Sequence, residues 1–320
     1  LALFALLLLG AAPHGADAAI LPPQNYVTEI ASSPQHPKPG DTVNLTASVI
    51  GNPGSFVFLW TANDGDLAQG VGLTKTSVRA GAVGTAIRVA VTIVDSQGNI
   101  QGGQEFLIRP ADVDLIWEAK TYVPPLYTGR PLPNQGSRIS IQAVPRLIDR
   151  GAPIAPERLS YLWSVDGKPV GANAYGKTFI TVTPPYFSRP FTVSVKAQTL
   201  DGLFAGESSV TIRPVKPLSV VYENRPLSGI AFNAAADFGA ALAVDEVTYR
   251  AYPVYVENPA ALAYVWRLNG QPVAIDGADK RAATFRKTGG ASGSFSVGFS
   301  FSSASRSFET GASSFSVDIR

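Results

Sequence analysis

Residues able to do chemistry are scarce in this sequence. Of 320 residues none is Cys and two are His, which removes thiolate nucleophiles, disulfides, Cys-rich metal sites and acylation at a lipobox cysteine together. Past the expected leader of residues 1–19 the one histidine is His36, in the extended run Ser33-Pro34-Gln35-His36-Pro37-Lys38-Pro39. A Ser-His-Asp triad would have to be built on that proline-rich loop, and none is expected. The 24 acidic residues include no pair in a recognisable strand-end arrangement for glycoside hydrolysis. Asn63, Asp64 and Asp66, with Asp95 later, are oxygen donors of the kind calcium takes, but EF-hand spacing is absent and Asp or Asn at turns usually serves the backbone. The expectation is no catalytic residue, no metal and no cofactor.

Aromatic residues are the other candidates. Trp60, Trp163 and Trp266 offer either sugar-stacking platforms or core packing. Each stands before a hairpin-type turn and beside apolar Leu59, Leu162 or Val265, and core packing is the favoured reading. Trp117, in Asp114-Leu-Ile-Trp117-Glu118, lies outside that pattern near a domain junction, where interdomain packing and partner binding are both open. Tyr122, Tyr127, Tyr186 and Phe187 fall in proline-rich connections. Loop aromatics suit protein or glycan binding, the alternative being packing of each loop on its own domain.

These side chains need elements to hold them, and composition says which. Hydrophobic residues make up 45% of the chain, with 30 Gly and 25 Pro punctuating runs rich in Val, Ser and Thr, an all-β signature. Lys plus Arg is 26 and Asp plus Glu 24, a net charge of +2, and 16% of residues are charged against a usual value of about 25%. That balance offers no concentrated basic face, so nucleic acid is excluded as a partner.

The spacing of the tryptophans carries the organisation. Trp60, Trp163 and Trp266 stand 103 residues apart (163 − 60 and 266 − 163), the mark of tandem duplication. Asp64-Gly65, Asp166-Gly167 and Asn269-Gly270 follow them, dipeptides that tolerate the positive φ of a tight hairpin turn. Further on, each unit alternates with period two: Ile87/Val89/Val91/Ile93, Phe191/Val193/Val195/Ala197 and Phe295/Val297/Phe299/Phe301. Upstream lie Val43/Leu45/Ala47/Val49, Ile139/Ile141/Ala143 and Val247/Tyr249/Ala251. Alternation of this kind predicts strands buried on one face and wet on the other. Each unit closes similarly, at Phe106-Leu-Ile-Arg109, Val210-Thr-Ile-Arg213 and Val317-Asp-Ile-Arg320. The Ala-rich run 234–243 predicts a loop or one short helix.

An early Trp strand and a later alternating partner in units of about 100 residues predict three tandem immunoglobulin-like β-sandwiches, without the disulfide that antibody domains carry. The expected boundaries are 1–19 for a signal peptide, 20–110 for the first domain, 111–214 for the second and 215–320 for the third. In the leader, Leu1 to Ala12 is nearly pure apolar and Ala16-Asp17-Ala18 supplies the small-x-small cleavage pattern. The sequence begins at Leu without a basic segment, so the true start is expected to be missing. Twelve visible apolar residues fall short of the roughly 20 that span a bilayer; an uncleaved anchor is the rival reading, and the only membrane contact expected.

The first unit resembles bacterial Ig-like and PKD domains in Pro39-Gly40-Asp41-Thr42-Val43-Asn44-Leu45-Thr46-Ala47, in the Trp60 to Gly65 turn and in Val89-Ala-Val-Thr-Ile-Val-Asp95-Ser-Gln-Gly98. The later units lack the Asp-rich end of that late strand. Residues 112–320 are similar to uncharacterised secreted proteins of candidate-phyla bacteria, through Thr121-Tyr122-Val-Pro124-Pro125-Leu-Tyr127, Tyr175-Gly176-Lys177 and Tyr222-Glu223-Asn-Arg-Pro226. The resemblance implies an exported, surface- or pilus-associated protein with no known active site. The chain is thus expected to be a non-enzymatic extracytoplasmic rod that presents or spaces a cell-envelope component. Its partner would be a protein or glycan there, and a carbohydrate-binding module array is the alternative.

Overall fold

The computed structural model describes residues 25–171, 174–185, 189–236, 240–242, 246–287 and 293–319. The leader with Ala16 and Ala18, and the pair Tyr186 and Phe187, lie outside them. Packing divides the chain into two compact units. One takes in residues up to 35, 40–81 and 86–108, and the other residues 36–39, 82–85 and 109–320. The fold is all-β, and three separate apolar cores are present, one in the first unit and two in the second.

In the first unit β1 (Val27–Ser33), β2 (Thr42–Val49) and β5 (Lys75–Arg79) form one sheet in the order β1-β2-β5. The facing sheet runs β4-β3-β6-β7, from β3 (Val57–Ala62), β4 (Gly65–Val71), β6 (Ile87–Val94) and β7 (Ile100–Ile108). Val43, Leu45, Val89, Val91 and Ile93 are fully buried between them. Their polar neighbours face the other way, because successive side chains of a strand alternate between faces.

The second sandwich repeats this plan. Its first sheet is β15-β9-β8, from β8 (Asp112–Ala119), β9 (Ile139–Arg146) and β15 (Phe179–Val182). The second is β13-β12-β16-β17, from β12 (Ser160–Val165), β13 (Lys168–Pro169), β16 (Phe191–Gln198) and β17 (Ala205–Ile212), with β14 (Ala174–Tyr175) also on β12 and β10 (Ile148–Asp149) paired with β11 (Ala152–Pro153) apart.

In the third sandwich β19-β18-β21-β24 faces β20-β26-β25-β22-β23. These are β18 (Leu218–Arg225), β19 (Gly229–Ala235), β20 (Ala240–Leu242), β21 (Glu246–Val254), β22 (Leu262–Leu268), β23 (Gln271–Val273), β24 (Ala282–Arg286), β25 (Gly293–Ser303) and β26 (Thr310–Ile319). The strand order and opposed sheets are those of tandem immunoglobulin- and fibronectin-III-like sandwiches. The loop or short helix expected over 234–243 is corrected in part: Ala236 lies in a 3-10 turn, but Ala234 and Ala235 end β19 and Ala240–Leu242 pairs parallel with Val317–Ile319 as β20. The partner strand supplies the backbone bonds that a local alanine-helix preference would otherwise satisfy within the segment.

A further threefold feature fixes how each Trp strand begins. Proline-initiated 3-10 turns at Pro53–Ser55, Pro156–Arg158 and Pro259–Ala261 precede β3, β12 and β22, again 103 residues apart (156 − 53 and 259 − 156). Asn52 and Asn258 cap two of them through side-chain oxygens that accept from Gly54 and Ala260 N–H, while Ala155 has no side chain to do so. The hydroxyls of Tyr161 and Tyr264 donate to the prolyl carbonyls of Pro156 and Pro259. The last strand passes closely by the first in the second and third sandwiches: a Cβ on Gly206 would meet Ala111 and Val113 at 3.1 Å, and one on Gly311 would sit 3.5 Å from the Leu218 carbonyl carbon.

Candidate functional site

The three tryptophans that recur at equal spacing are core residues, 1%, 4% and 0% exposed at Trp60, Trp163 and Trp266. Trp60 lies opposite Val91, Trp163 opposite Val195 and Trp266 opposite Phe299 on the neighbouring strand. A buried indole needs a partner for its N–H. Each finds one in a backbone carbonyl 13 or 14 residues on: Leu73 at 2.9 Å, Lys177 at 3.0 Å and Lys280 at 3.1 Å. The adjacent Leu59, Leu162 and Val265 are not buried with them; they stand on the opposite, outer face of the sheet. Burial of the indoles therefore follows from alternation and not from apolar sequence neighbours.

The turn residues are used by the backbone in the same threefold way. Asn63, Asp166 and Asn269 have φ of 48°, 47° and 49°, a left-handed conformation that Asn and Asp tolerate better than most residues. The side-chain oxygen of each accepts the N–H of the neighbouring strand, from Arg88, Thr192 and Ser296 at 2.8–2.9 Å. Asp95 is likewise engaged. Its carboxylate accepts from Asn99 and Gln97 N–H and the Gln101 amide, and these bonds, Asn99 foremost, hold its pKa below the usual carboxylate range. Among the described residues no group of three His, Asp or Glu side chains is placed to hold a metal ion. Burial lowers the pKa of His36, Lys196 adding to the effect and Glu207 opposing it, and its Nε2 has no partner among the described residues.

Trp117 packs partly against the second core and carries the Arg130 guanidinium 4.4 Å from its ring centroid, a cation–π contact. Tyr122 and Tyr127 do not pack on their own sandwich. Tyr122 N–H donates to Val256 O at 2.6 Å, Tyr255 N–H returns a bond to Tyr122 O at 2.8 Å, and the Tyr122 ring joins the third core. Burial raises the Tyr122 pKa, with Arg281 and Arg250 opposing. The Tyr127 and Tyr255 hydroxyls meet at 2.6 Å, and burial followed by that bond pushes Tyr255 up to about 12.

These contacts belong to a joint inside the second unit, where the connector between β8 and β9 inserts into the third sandwich. Asn134 and Ser137 are fully buried and Glu309 nearly so. The Asn134 amide donates to Tyr255 O at 2.6 Å and to Glu309 Oε1 at 3.0 Å, while Glu257 N–H donates to the same carboxylate oxygen at 3.0 Å. Asn134 Oδ1 is buried without a partner among the described residues. Arg306 pairs with Glu257 and lies 3.5 Å from Glu309, and Arg138 reaches Glu257 at 2.9 Å. Val215 N–H donates to Pro133 O at 2.8 Å, and Phe308 presses so near Gly136 that a Cβ there would sit 2.5 Å from the ring. Asn134, Glu257, Arg306 and Glu309 were absent from the sequence reading; no local periodicity marks a polar pair 175 residues apart.

No family model and no curated protein matches the sequence. Among solved structures the chain is similar to the fibronectin(III)-like modules of Clostridium thermocellum CbhA, at 16% identity over 58% of this chain and 94% of that chain, with a TM-score of 0.27. It is also similar to the three N-terminal domains of the bacteriophage RB49 highly immunogenic outer capsid protein (17% identity, 93% and 98% coverage, TM-score 0.26). A third likeness is to the central fibronectin-III array of RIM-binding protein (14% identity, 93% and 98% coverage, TM-score 0.32). The assignment of sandwiches rests on the strand order and not on these scores.

Proposed function

We propose that this tandem array is a non-enzymatic structural or interaction protein of the extracytoplasmic space, spacing or presenting a component of the cell envelope or a pilus. Within this reading the first sandwich is of the PKD type and the other two are Ig-like. The observation that carries it is the joint. A protein whose work is to hold parts at a distance needs its domains fixed to one another, and the buried Asn134–Glu309–Tyr255 cluster with the Glu257–Arg306 pair fixes the third sandwich to the second. The groups able to do chemistry support the same reading: the turn Asn63, Asp166 and Asn269 cap strands, and the three indoles fill cores. Export is argued from the apolar run Leu1 to Ala12 and the Ala16-x-Ala18 pattern.

The test is fractionation of bacterial cells producing residues 1–320 behind an initiator Met and carrying a C-terminal epitope. The tag should be recovered outside the cytoplasm on a product shortened at Ala18, and protease added to intact cells or spheroplasts should reach it. Retention in the cytoplasm at full length overturns the reading.

A further inference from the structure

The second sandwich has a cleft to which none of the roles above assigns a use. Where the β10–β11 hairpin, strand β14 and the β16–β17 connection converge, they enclose about 680 Å³ lined by Asp149, Ile154, Arg158, Tyr175, Leu200 and Asp201. That volume lies within the range of small-ligand sites, and loops at one end of a rigid sandwich are where such sites are commonly built.

Its walls are held before any ligand arrives. Asp149 pairs with Ala152 across a turn whose Arg150 and Gly151 take φ of 49° and 81°. Tyr175 is fixed in register opposite Ser160, and the next residue, Gly176, donates its N–H to Leu159 O at 3.0 Å. In the third wall Thr199 N–H bonds Phe204 O at 2.9 Å, and Asp201 Oδ1 accepts both the Thr199 hydroxyl at 2.6 Å and Leu203 N–H at 3.0 Å.

The lining chemistry narrows the ligand. Tyr175 leaves 55% and Leu200 86% of its surface exposed, and the Tyr175 hydroxyl has no hydrogen-bond partner among the described residues. Beside these apolar surfaces stand two carboxylates and one guanidinium, planar groups that pair in bidentate fashion with neighbouring hydroxyls. Two acids against one Arg do not suit a phosphate or sulfate. A pyranose ring, apolar on its C–H faces and ringed by hydroxyls, fits both halves of the lining.

We propose that this cleft binds a neutral carbohydrate, the Tyr175 ring stacking on a sugar face while Asp149, Arg158 and Asp201 bond its hydroxyls. The full chain is applied to an array of neutral oligosaccharides of hexoses, pentoses and N-acetylhexosamines, and the strongest binder is titrated by calorimetry. At least one oligosaccharide should bind. Tyr175→Ala and Arg158→Ala should each weaken it about tenfold or more, a change of about 1.4 kcal/mol per tenfold, while Tyr175→Phe should stay within about threefold. Both side chains are exposed, and unchanged thermal melts of the variants confirm that folding is intact. A blank array overturns the proposal, as does binding that is indifferent to both alanine variants. A random-peptide library that yields ligands lost with Tyr175→Ala, beside a blank array, overturns it in favour of a protein partner.

Discussion

Trp266 and Asn134 are both fully shut away from water, yet they hold their regions together by opposite means. Around Trp266 the stabilisation is apolar: Phe299 and Phe285 lie 4.8 and 6.0 Å away by ring centroid, and one N–H bond satisfies the indole. Around Asn134 it is polar, with two donated bonds and a carboxylate shared among an amide, a backbone N–H and a guanidinium. The difference matters for tolerance. An apolar core loses in proportion to the volume removed, whereas a buried polar cluster is penalised for whatever partner is left unpaired. The first arrangement recurs in all three sandwiches; among the described residues the second is found where the second and third sandwiches meet.

The comparison can be broken by substitution. Trp266→Ala should cost about 3 to 5 kcal/mol, the range for deleting a large buried aromatic, and Trp163→Ala the same in the second sandwich. Urea melts followed by tyrosine fluorescence measure it, and a loss below about 1 kcal/mol in either variant would put that indole at the surface. Asn134→Ala should cost less, about 1 to 3 kcal/mol, from a Tyr255 carbonyl left without the amide and a Glu309 carboxylate that loses one of its three donors. Its signature is different in kind: in scanning calorimetry the second and third sandwiches should begin to melt separately, and a single unsplit transition at unchanged temperature would deny the joint any role.

Asn269→Ala should cost about 1 to 2 kcal/mol, because it loses both the acceptor for Ser296 N–H and a residue type that tolerates φ of 49°. Asn269→Gly, which restores the backbone freedom but not the acceptor, should recover part of that loss in the same melts. Alkaline pH tests core and joint together. Burial raises Tyr161 and Tyr249 to about 12, and burial with the Tyr127 bond raises Tyr255 as far. An unfolded phenol titrates near 10, so the stability these groups contribute is fully present below that pH and is lost as pH rises from about 10 towards 12. Melting temperatures taken from pH 9 to 11.5 should fall in the upper half of that interval; a flat profile speaks against their enclosure. The smallest effect is expected at the exposed Glu118–Lys120 pair, 2.9 Å apart, where Glu118→Gln should change stability by less than about 0.5 kcal/mol.

The same contrast explains what the sequence made legible. Trp60, Trp163 and Trp266, and strands such as Phe191 to Ala197, could be placed because burial in a sheet is written locally, with period two. The turn residues Asp166 and Asn269 were legible as turns, yet their capping of the next strand depends on a partner 26 and 27 residues away. Pro53, Pro156 and Pro259 carry the repeat as plainly as the tryptophans, but in sequence a proline between strands marks punctuation and not the turn it begins. Leu59, Leu162 and Val265 misled, since strand neighbours of a buried residue face the other way. The joint was illegible for a physical reason: Asn134 and Glu309 are polar, unrepeated and remote in sequence, and only the folded backbone brings them together. The cleft is similar, for Tyr175 sits on β14, Arg158 on the 3-10 turn before β12 and Asp201 on the β16–β17 connection.

The three-residue β20 lies along β26, a strand of ten residues that would otherwise form the rim of its sheet. An uncovered rim of that length is a row of unsatisfied N–H and C=O groups, a template on which another chain can add its own strand. Part of that row is already occupied, in the parallel sense and by the protein's own backbone. A short segment expected from sequence to be a loop or one short helix thus bears on whether copies of the molecule remain separate when crowded together.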